Sequence, residues 1–297
     1  MSKQAWALLM LLSVIWGASF LFIEMALVVM GPVSLVFFRV LIGALTLFFY
    51  LRLAKISLPK SLKFWTPVTL MGALNNAIPF SLIAYGQLFI TGGMASIINA
   101  NTAFFGVVVA ALFIADERLS WSRFLGVLIG ISGVVIVAGP TELLALDFTS
   151  IGQLAVILAT LSYAFASVWG KLRLQGYHGA VTAFGMMATA SLLLLPVMLI
   201  KEGVPHFALD GTMIIVAIGL GVIGTAGAYL LYFKILALAG ASNLMLVTII
   251  VPVFAVLLDG LVLAQYLPVE ALIGFVVIAI GLAVMDGRLG QKIIKRP

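Results

Sequence analysis

The chain contains no cysteine and only two histidines, and charged residues make up 9% of its 297 positions. The missing cysteine excludes a disulfide-stapled scaffold. Charge this scarce, against about 25% in an ordinary soluble domain, excludes a soluble globular protein. A hydrophobic content of 64% excludes a disordered one. No phosphate loop, metal-ligand spacing or zinc motif is present, so the sequence predicts no ATPase engine, no metal and no cofactor. His178 and His206 fall in connections on opposite sides of the apolar runs. An intramembrane enzyme needs a nucleophile and a base at one depth, so the expectation is that the protein is not an enzyme.

Apolar sequence is what the chain has in quantity. A transmembrane helix takes about 20 apolar residues. Ten such runs can be read: Ala5–Val28, Val33–Leu51, Trp65–Tyr85, Gly92–Ile114, Trp121–Ala138, Ile151–Gly170, Gly179–Ile200, Met213–Ile235, Ser242–Leu263 and Val269–Met285. They are too long and too uniformly apolar for barrel strands. The first run exceeds the about 7–15 residues of a signal peptide's apolar segment, and is read as a retained helix. The prediction is an all-α integral membrane protein with ten transmembrane helices.

The positions of the basic residues orient these helices. If the N-terminus is cytoplasmic, fourteen of the sixteen Lys and Arg fall on that side: Lys3, Arg52, Lys55, Lys60, Lys63, Arg118, Arg123, Lys171, Arg173, Lys234, Arg288, Lys292, Lys295 and Arg296. Lys201 alone falls outside, and Arg39 lies within the second run. A missed or invented span would scramble so clean a split, so both termini are expected in the cytoplasm. The net charge of +6 is thus a topology signal, with no basic face or motif for nucleic acid.

The two halves resemble each other. Leu11 to Gly17 aligns with Leu158 to Ala164 at an offset of 147. Gly126, Gly133 and Gly139 fall on Gly274, Gly281 and Gly287 at 148, and Gly72 on Gly221 at 149. A unit of five helices is odd, so the second copy must enter the membrane from the opposite side. Residues 1–146 and 147–297 are therefore expected to be inverted-topology repeats, the arrangement of many secondary transporters. Several residues carry a resemblance to a known family: Trp16-Gly17, Arg39, Asn99-Ala100-Asn101-Thr102 leading to Asp116-Glu117-Arg118-Leu119, the helix Gly126 to Gly133, and Pro252-Val253-Phe254 with Gly274 and Gly281 in the second half. The chain resembles the drug/metabolite transporter superfamily in its ten-helix, EamA-type bacterial branch. It departs at Ala103, where the first half commonly has proline, and at Gln265-Tyr266, where the second half often has an acid. The resemblance implies proton-linked or facilitated movement of small metabolites, often amino-acid export, in the bacterial inner membrane. It also implies a cavity lined by helices one to four and six to nine.

Polar groups inside membrane spans are costly and mark function. Glu24, Arg39 and Asp259 lie at one level near the outer ends of helices one, two and nine. Glu24 and Arg39, on consecutive helices, are placed to pair, and the three read as gating or proton-linked groups. Deeper lie Trp16, Asn75, Asn76, Asn99, Thr102, Tyr163, Thr225, Tyr229 and Thr248. Amides, hydroxyls and rings around a cavity suit a zwitterion with an apolar side chain, so these are the candidate substrate-binding residues. The competing reading is that Asn, Ser and Thr bridge helices as polar glue. Pro79 and Pro252 are candidate hinges, since each removes a backbone donor and kinks its helix. The expected partners are a small-molecule substrate and the bilayer, with proton coupling and either a monomer or a homodimer. Transport of another metabolite class (a nucleoside, sugar derivative, vitamin or drug-like cation) is the alternative substrate reading.

Overall fold

The computed structural model describes residues 2–114, 121–138, 151–204, 211–244, 246–265 and 268–285. The Asp116-Glu117-Arg118-Leu119 motif, Gly139, Gly287, His206, Tyr266 and the basic residues Arg288, Lys292, Lys295 and Arg296 lie outside them. Among the described residues the chain is helical, with no strand. We number the helices α1 (Lys3–Leu27), α2 (Pro32–Leu53), α3 (Leu62–Gly86), α4 (Gly92–Phe113), α5 (Trp121–Ala138), α6 (Ile151–Arg173), α7 (Gly179–Lys201), α8 (Met213–Ala239), α9 (Val247–Val262) and α10 (Val269–Met285). Seven of them, α1–α4 and α6–α8, are long and apolar enough to cross a membrane, and the other three contain shorter apolar stretches. The outward faces carry Leu, Ile, Val and Phe in large numbers, among them Phe113, Leu192, Ile215 and Leu261. This is the surface of a bundle whose outside solvent is hydrocarbon.

The packing is organised by a pseudo-two-fold that exchanges α1 with α6, α2 with α7, α3 with α8, α4 with α9 and α5 with α10. Each major contact has its mate under this exchange. α1 packs on α9 as α6 packs on α4, α3 on α6 as α8 on α1, and α2 on α8 as α7 on α3. The α2–α7 and α5–α10 pairs map onto themselves. The glycine register read from the sequence sits at these contacts. A Cβ on Gly133 would stand 2.9 Å from the Gly274 carbonyl oxygen, and one on Gly281 2.8 Å from that of Gly126. Neither helix tolerates a side chain there, and close backbone approach is what holds membrane helices together where no hydrophobic effect drives them.

Consecutive helices of one repeat are not close partners. α1 and α2 touch only slightly, whereas α2 lies mainly against α7 and α8. The halves are therefore interleaved, and the interior surface belongs to both. The largest cluster of buried apolar side chains draws on α1 to α10 alike, from Leu9 and Leu12 through Phe80 and Phe104 to Val251 and Ile278.

Both third helices depart from α geometry at the same place. α3 widens to a π-helical turn over Ala73–Ala77, and α8 over Ile218–Gly227. In α3 the cause is Pro79, which has no N–H to offer the Asn75 carbonyl and crowds it. The Ser162 hydroxyl of α6 compensates by donating to the Leu74 carbonyl at 2.7 Å. In α8 the Thr225 hydroxyl donates to the Leu220 carbonyl at 2.7 Å. Both fourth helices are also interrupted. α4 breaks between Asn99 and Thr102, and a separate turn, Ala241–Leu244, precedes α9. Wide and broken helices expose backbone groups that regular ones hide, so they are tolerated in membranes where they line an interior.

Candidate functional site

The wide turns of α3 and α8 bring the polar residues of both repeats together. Asn75 donates its Nδ2 to the Tyr229 hydroxyl oxygen at 2.6 Å, and Asn76 donates to the same oxygen at 3.4 Å. Asn76 is fully buried, and its Oδ1 has no hydrogen-bond partner. Arg39 of α2 donates its Nε to Thr225 Oγ1 at 3.0 Å, and its guanidinium lies 4.0 Å over the centre of the Phe80 ring. The Tyr163 and Tyr229 hydroxyls lie within electrostatic reach of that guanidinium. Four helices, α2 and α3 of one repeat and α6 and α8 of the other, thus converge on one polar cluster. Trp16 of α1 adds an aromatic wall, its ring 6.1 Å from that of Tyr232, which is in turn 6.3 Å from Tyr229.

Asn99 and Thr102 belong to the break in α4. The Thr102 hydroxyl donates to the Asn99 carbonyl at 2.8 Å, and Asn99 Oδ1 is buried without a partner. Asn101, a member of the same motif outside the candidate binding set, behaves alike: its Nδ2 donates to the Ile98 carbonyl at 2.8 Å and its Oδ1 is unpartnered. Thr248 lies half-buried in the first turn of α9. Pro79 and Pro252 are both buried within the bundle.

The predicted Glu24–Arg39 pair does not form. The two residues are near in sequence, but α1 and α2 diverge, and Arg39 is drawn across to α8. Glu24 turns instead to the N-terminus of α4, accepting from the Gly92 N–H at 3.2 Å and from Gln265 Nε2 at 2.6 Å. Asp259 joins it there. It is only 2% exposed, and its Oδ2 accepts a short hydrogen bond from the Gly93 N–H. The Thr91 hydroxyl caps the third N–H, that of Met94, at 3.2 Å. Three residues from α1, α9 and the chain before α4 therefore satisfy the first three N–H groups of one helix, and the two carboxylates lie at the positive end of its dipole. Gln87, also unremarked in the sequence, ties α3 to the same spot by donating to the Phe20 carbonyl at 2.9 Å.

A further carboxylate clamps the same end of the bundle. Gly31, the N-cap of α2, has no side chain to cap with. Glu202, at the end of α7, supplies the cap by accepting from Val33 N at 2.9 Å and Ser34 N at 2.8 Å. The four acids among the described residues, Glu24, Glu202, Asp259 and Glu270, lie toward the end where α2 and α4 begin. The opposite end carries none among the described residues. It holds instead a cavity of about 420 Å³ lined by Tyr50, His178, Gly179, Ala180, Leu230, Phe233 and Lys234. A smaller apolar crevice of about 130 Å³, between α1, α2 and α8, touches Arg39 but is otherwise lined by side chains such as Met30, Phe38 and Leu220. Among the described residues no group of His, Asp and Glu is placed to hold a metal ion.

Comparison with known proteins agrees with this architecture. The chain is 25% identical over 290 residues to a Salmonella typhimurium protein named as a probable amino-acid metabolite efflux pump, covering 95% of this chain and 94% of the relative. It is 24% identical over 288 residues to an uncharacterized transporter of Archaeoglobus fulgidus, covering 95% and 98%. A probable terminal-alkyne amino-acid exporter of Streptantibioticus cattleyicolor is 26% identical over 198 residues, covering 67% of this chain and 65% of that one. One solved crystal structure superposes with a TM-score of 0.69 at 18% identity, over 96% of this chain and 98% of the other, which shows the fold alone. The sequence profile of the EamA-like transporter family matches twice, at residues 4–139 and 150–285, one match for each repeat. The protein is a multi-pass membrane transporter belonging to the EamA-like transporter family of the drug/metabolite transporter superfamily.

Proposed function

We propose that the protein exports small amphipathic metabolites, amino acids foremost, across the bacterial inner membrane by alternating access of its two inverted repeats. The observation that carries this reading is the polar cluster at the interface of the repeats. There Arg39, Asn75, Asn76, Tyr163, Thr225 and Tyr229 converge from four helices of both halves. A site shared by two bodies can be opened from either side by moving one against the other. Its amides and hydroxyls can hold the charged groups of a zwitterion, and Trp16, Tyr232 and Phe80 an apolar side chain. The relatives named as amino-acid exporters support the substrate class.

In this reading Trp16, Asn99, Thr102 and Thr248 complete the substrate-binding surface, and Pro79 and Pro252 let α3 and α9 bend. Glu24 and Asp259 form the outer gate by holding the head of α4. Their protonation would release it, which is the route for proton coupling. With both termini cytoplasmic, the carboxylate-rich end faces outward. The test is transport in proteoliposomes with a panel of labelled amino acids and other metabolites, with and without a pH gradient. Uptake or exchange of at least one amino acid is expected. No movement of any amino acid, in protein shown to be folded, refutes the substrate class.

A further inference from the structure

Arg39 is a cation with unusual surroundings. It is 7% exposed, deep in a membrane bundle, and no carboxylate lies against it among the described residues. The two acids of the membrane spans, Glu24 and Asp259, are occupied at the head of α4. A guanidinium has five N–H donors in a planar fork. Here one is used, the Nε to Thr225, and the plane is held by the face of Phe80. The four N–H groups of Nη1 and Nη2 meet no acceptor among the described residues. Their neighbours are donors too. The Tyr229 oxygen already receives two amide N–H groups, so its own hydrogen must point elsewhere. Tyr163 brings a second phenol. The locale is rich in donors and poor in acceptors, which is the wrong chemistry for polar glue and the right chemistry for an anion.

The orientation narrows the anion. With Nε tied and the ring stacked, Nη1 and Nη2 present a rigid pair of parallel N–H groups, the geometry that matches the two oxygens of a carboxylate. The same cluster holds an acceptor, Asn76 Oδ1, buried and unpartnered, on the side chain whose Nδ2 reaches Tyr229, itself within electrostatic reach of the guanidinium. An α-amino acid carries its ammonium one carbon from its carboxylate, so the two charges need an anion site and an acceptor close together.

We propose that Arg39 is the docking group for the substrate carboxylate, positioned by Thr225 and Phe80, and not part of the gate. The proposal rests on the amino-acid reading above and deepens it. The transporter should select for a free carboxylate and reject the same side chain lacking it. A buried site built for a hydrogen-bonding group rejects an analogue without that group by large factors, because its own polar groups are then left unpaired.

The experiment measures binding of the twenty common L-amino acids, each beside its carboxamide, to the purified full-length protein in lipid nanodiscs. For the amino acid that binds best, wild-type protein is expected to favour the free acid over the carboxamide by about 100-fold or more. Arg39→Gln should reduce this preference to less than about threefold, weakening the free acid and sparing the carboxamide. Arg39→Lys, keeping charge but losing the fork, should fall between them. Thr225→Val, which frees Nε without touching the charge, should lower the preference for the free acid over the carboxamide several-fold; this variant decides the matter if Arg39→Gln does not assemble. Full preference for the free acid in folded Arg39→Gln, or in Thr225→Val where that variant decides, overturns the role of Arg39 and leaves the transport reading intact. Equal binding of acid and carboxamide by wild-type protein does the same. No amino acid bound by wild-type protein removes the substrate class, and the role of Arg39 with it.

Discussion

Replacing Glu24 and Asp259 by Gln and Asn should loosen the end of the bundle where α4 begins. Both substitutions keep shape and hydrogen-bonding capacity but remove charge. In the structure these carboxylates accept from the N–H groups of Gly92 and Gly93, and Glu24 also from Gln265. A hydrogen bond to a charged group is worth about 1.5–3 kcal/mol and a neutral one about 0.5–1.5. Each neutralisation therefore costs the closed arrangement about 1 kcal/mol. Loss of charge at the positive end of the helix dipole adds about 0.3–1 kcal/mol. A difference of 1.4 kcal/mol is tenfold in population, so each variant should open this end about tenfold more often. The double variant should exceed either single one, though by less than the product, because both acids act on one helix end. The chain has no cysteine, so a single introduced thiol reports without background. Ser96 lies on α4 one turn below the capped N–H groups and is 1% exposed. In a Ser96→Cys background, a membrane-impermeant maleimide should label slowly, and about tenfold faster once Glu24 or Asp259 is neutralised. Unchanged rates would show that these acids do not hold the gate. Slower labelling would show that their mutual repulsion outweighs what they contribute as caps. Either result refutes the reasoning.

Glu202→Gln should lower thermal stability by about 1–2 kcal/mol, since the amide offers one acceptor where the carboxylate serves both Val33 and Ser34. A drop in the unfolding midpoint in detergent checks it, and an unchanged midpoint counts against the clamp. Gly133→Leu should abolish or severely weaken folding, because a Cβ there already meets Ile278 at 2.7 Å. Gly106→Ala is the control: nothing stands within 4 Å of its Cβ, and the substitution should be neutral or stabilise by up to about 1 kcal/mol through helix propensity. Monodispersity and unfolding midpoint in detergent distinguish the two.

Much of the fold was legible without coordinates because the bilayer constrains it so heavily. Long apolar runs must become helices, as in Val33–Leu51 and Gly179–Ile200, since no other open structure satisfies its backbone in lipid. The glycine register at offsets of 148 and 149 was equally readable, because a residue without a side chain marks where backbones meet. Gly133 against Gly274 and Gly281 against Gly126 are those meetings. The polar residues of the repeat interface were also visible, since each lies within an otherwise apolar run. Gln87 and Gln265 carried the same signal more faintly at helix ends, and Glu202 looked like an ordinary loop acid.

Partnership was what the sequence by itself left undetermined. Glu24 and Arg39 stand on consecutive helices, and nearness along the chain implied a pair. The interleaving of the two repeats instead sends α2 to α7 and α8, and leaves α1 with α9 and α8. Arg39 therefore meets Thr225, 186 residues away, and Glu24 meets Gln265, 241 residues away. The sequence determined the elements, their number and the residues too costly to bury without a purpose, since these follow from local composition and the solvent. Only the tertiary structure decided which of those residues face one another, because helix crossing in a bundle depends on side-chain fit between segments distant in the chain. That decision separates the carboxylates bonded to the head of α4 from the polar cluster around Arg39 at the interface of the repeats.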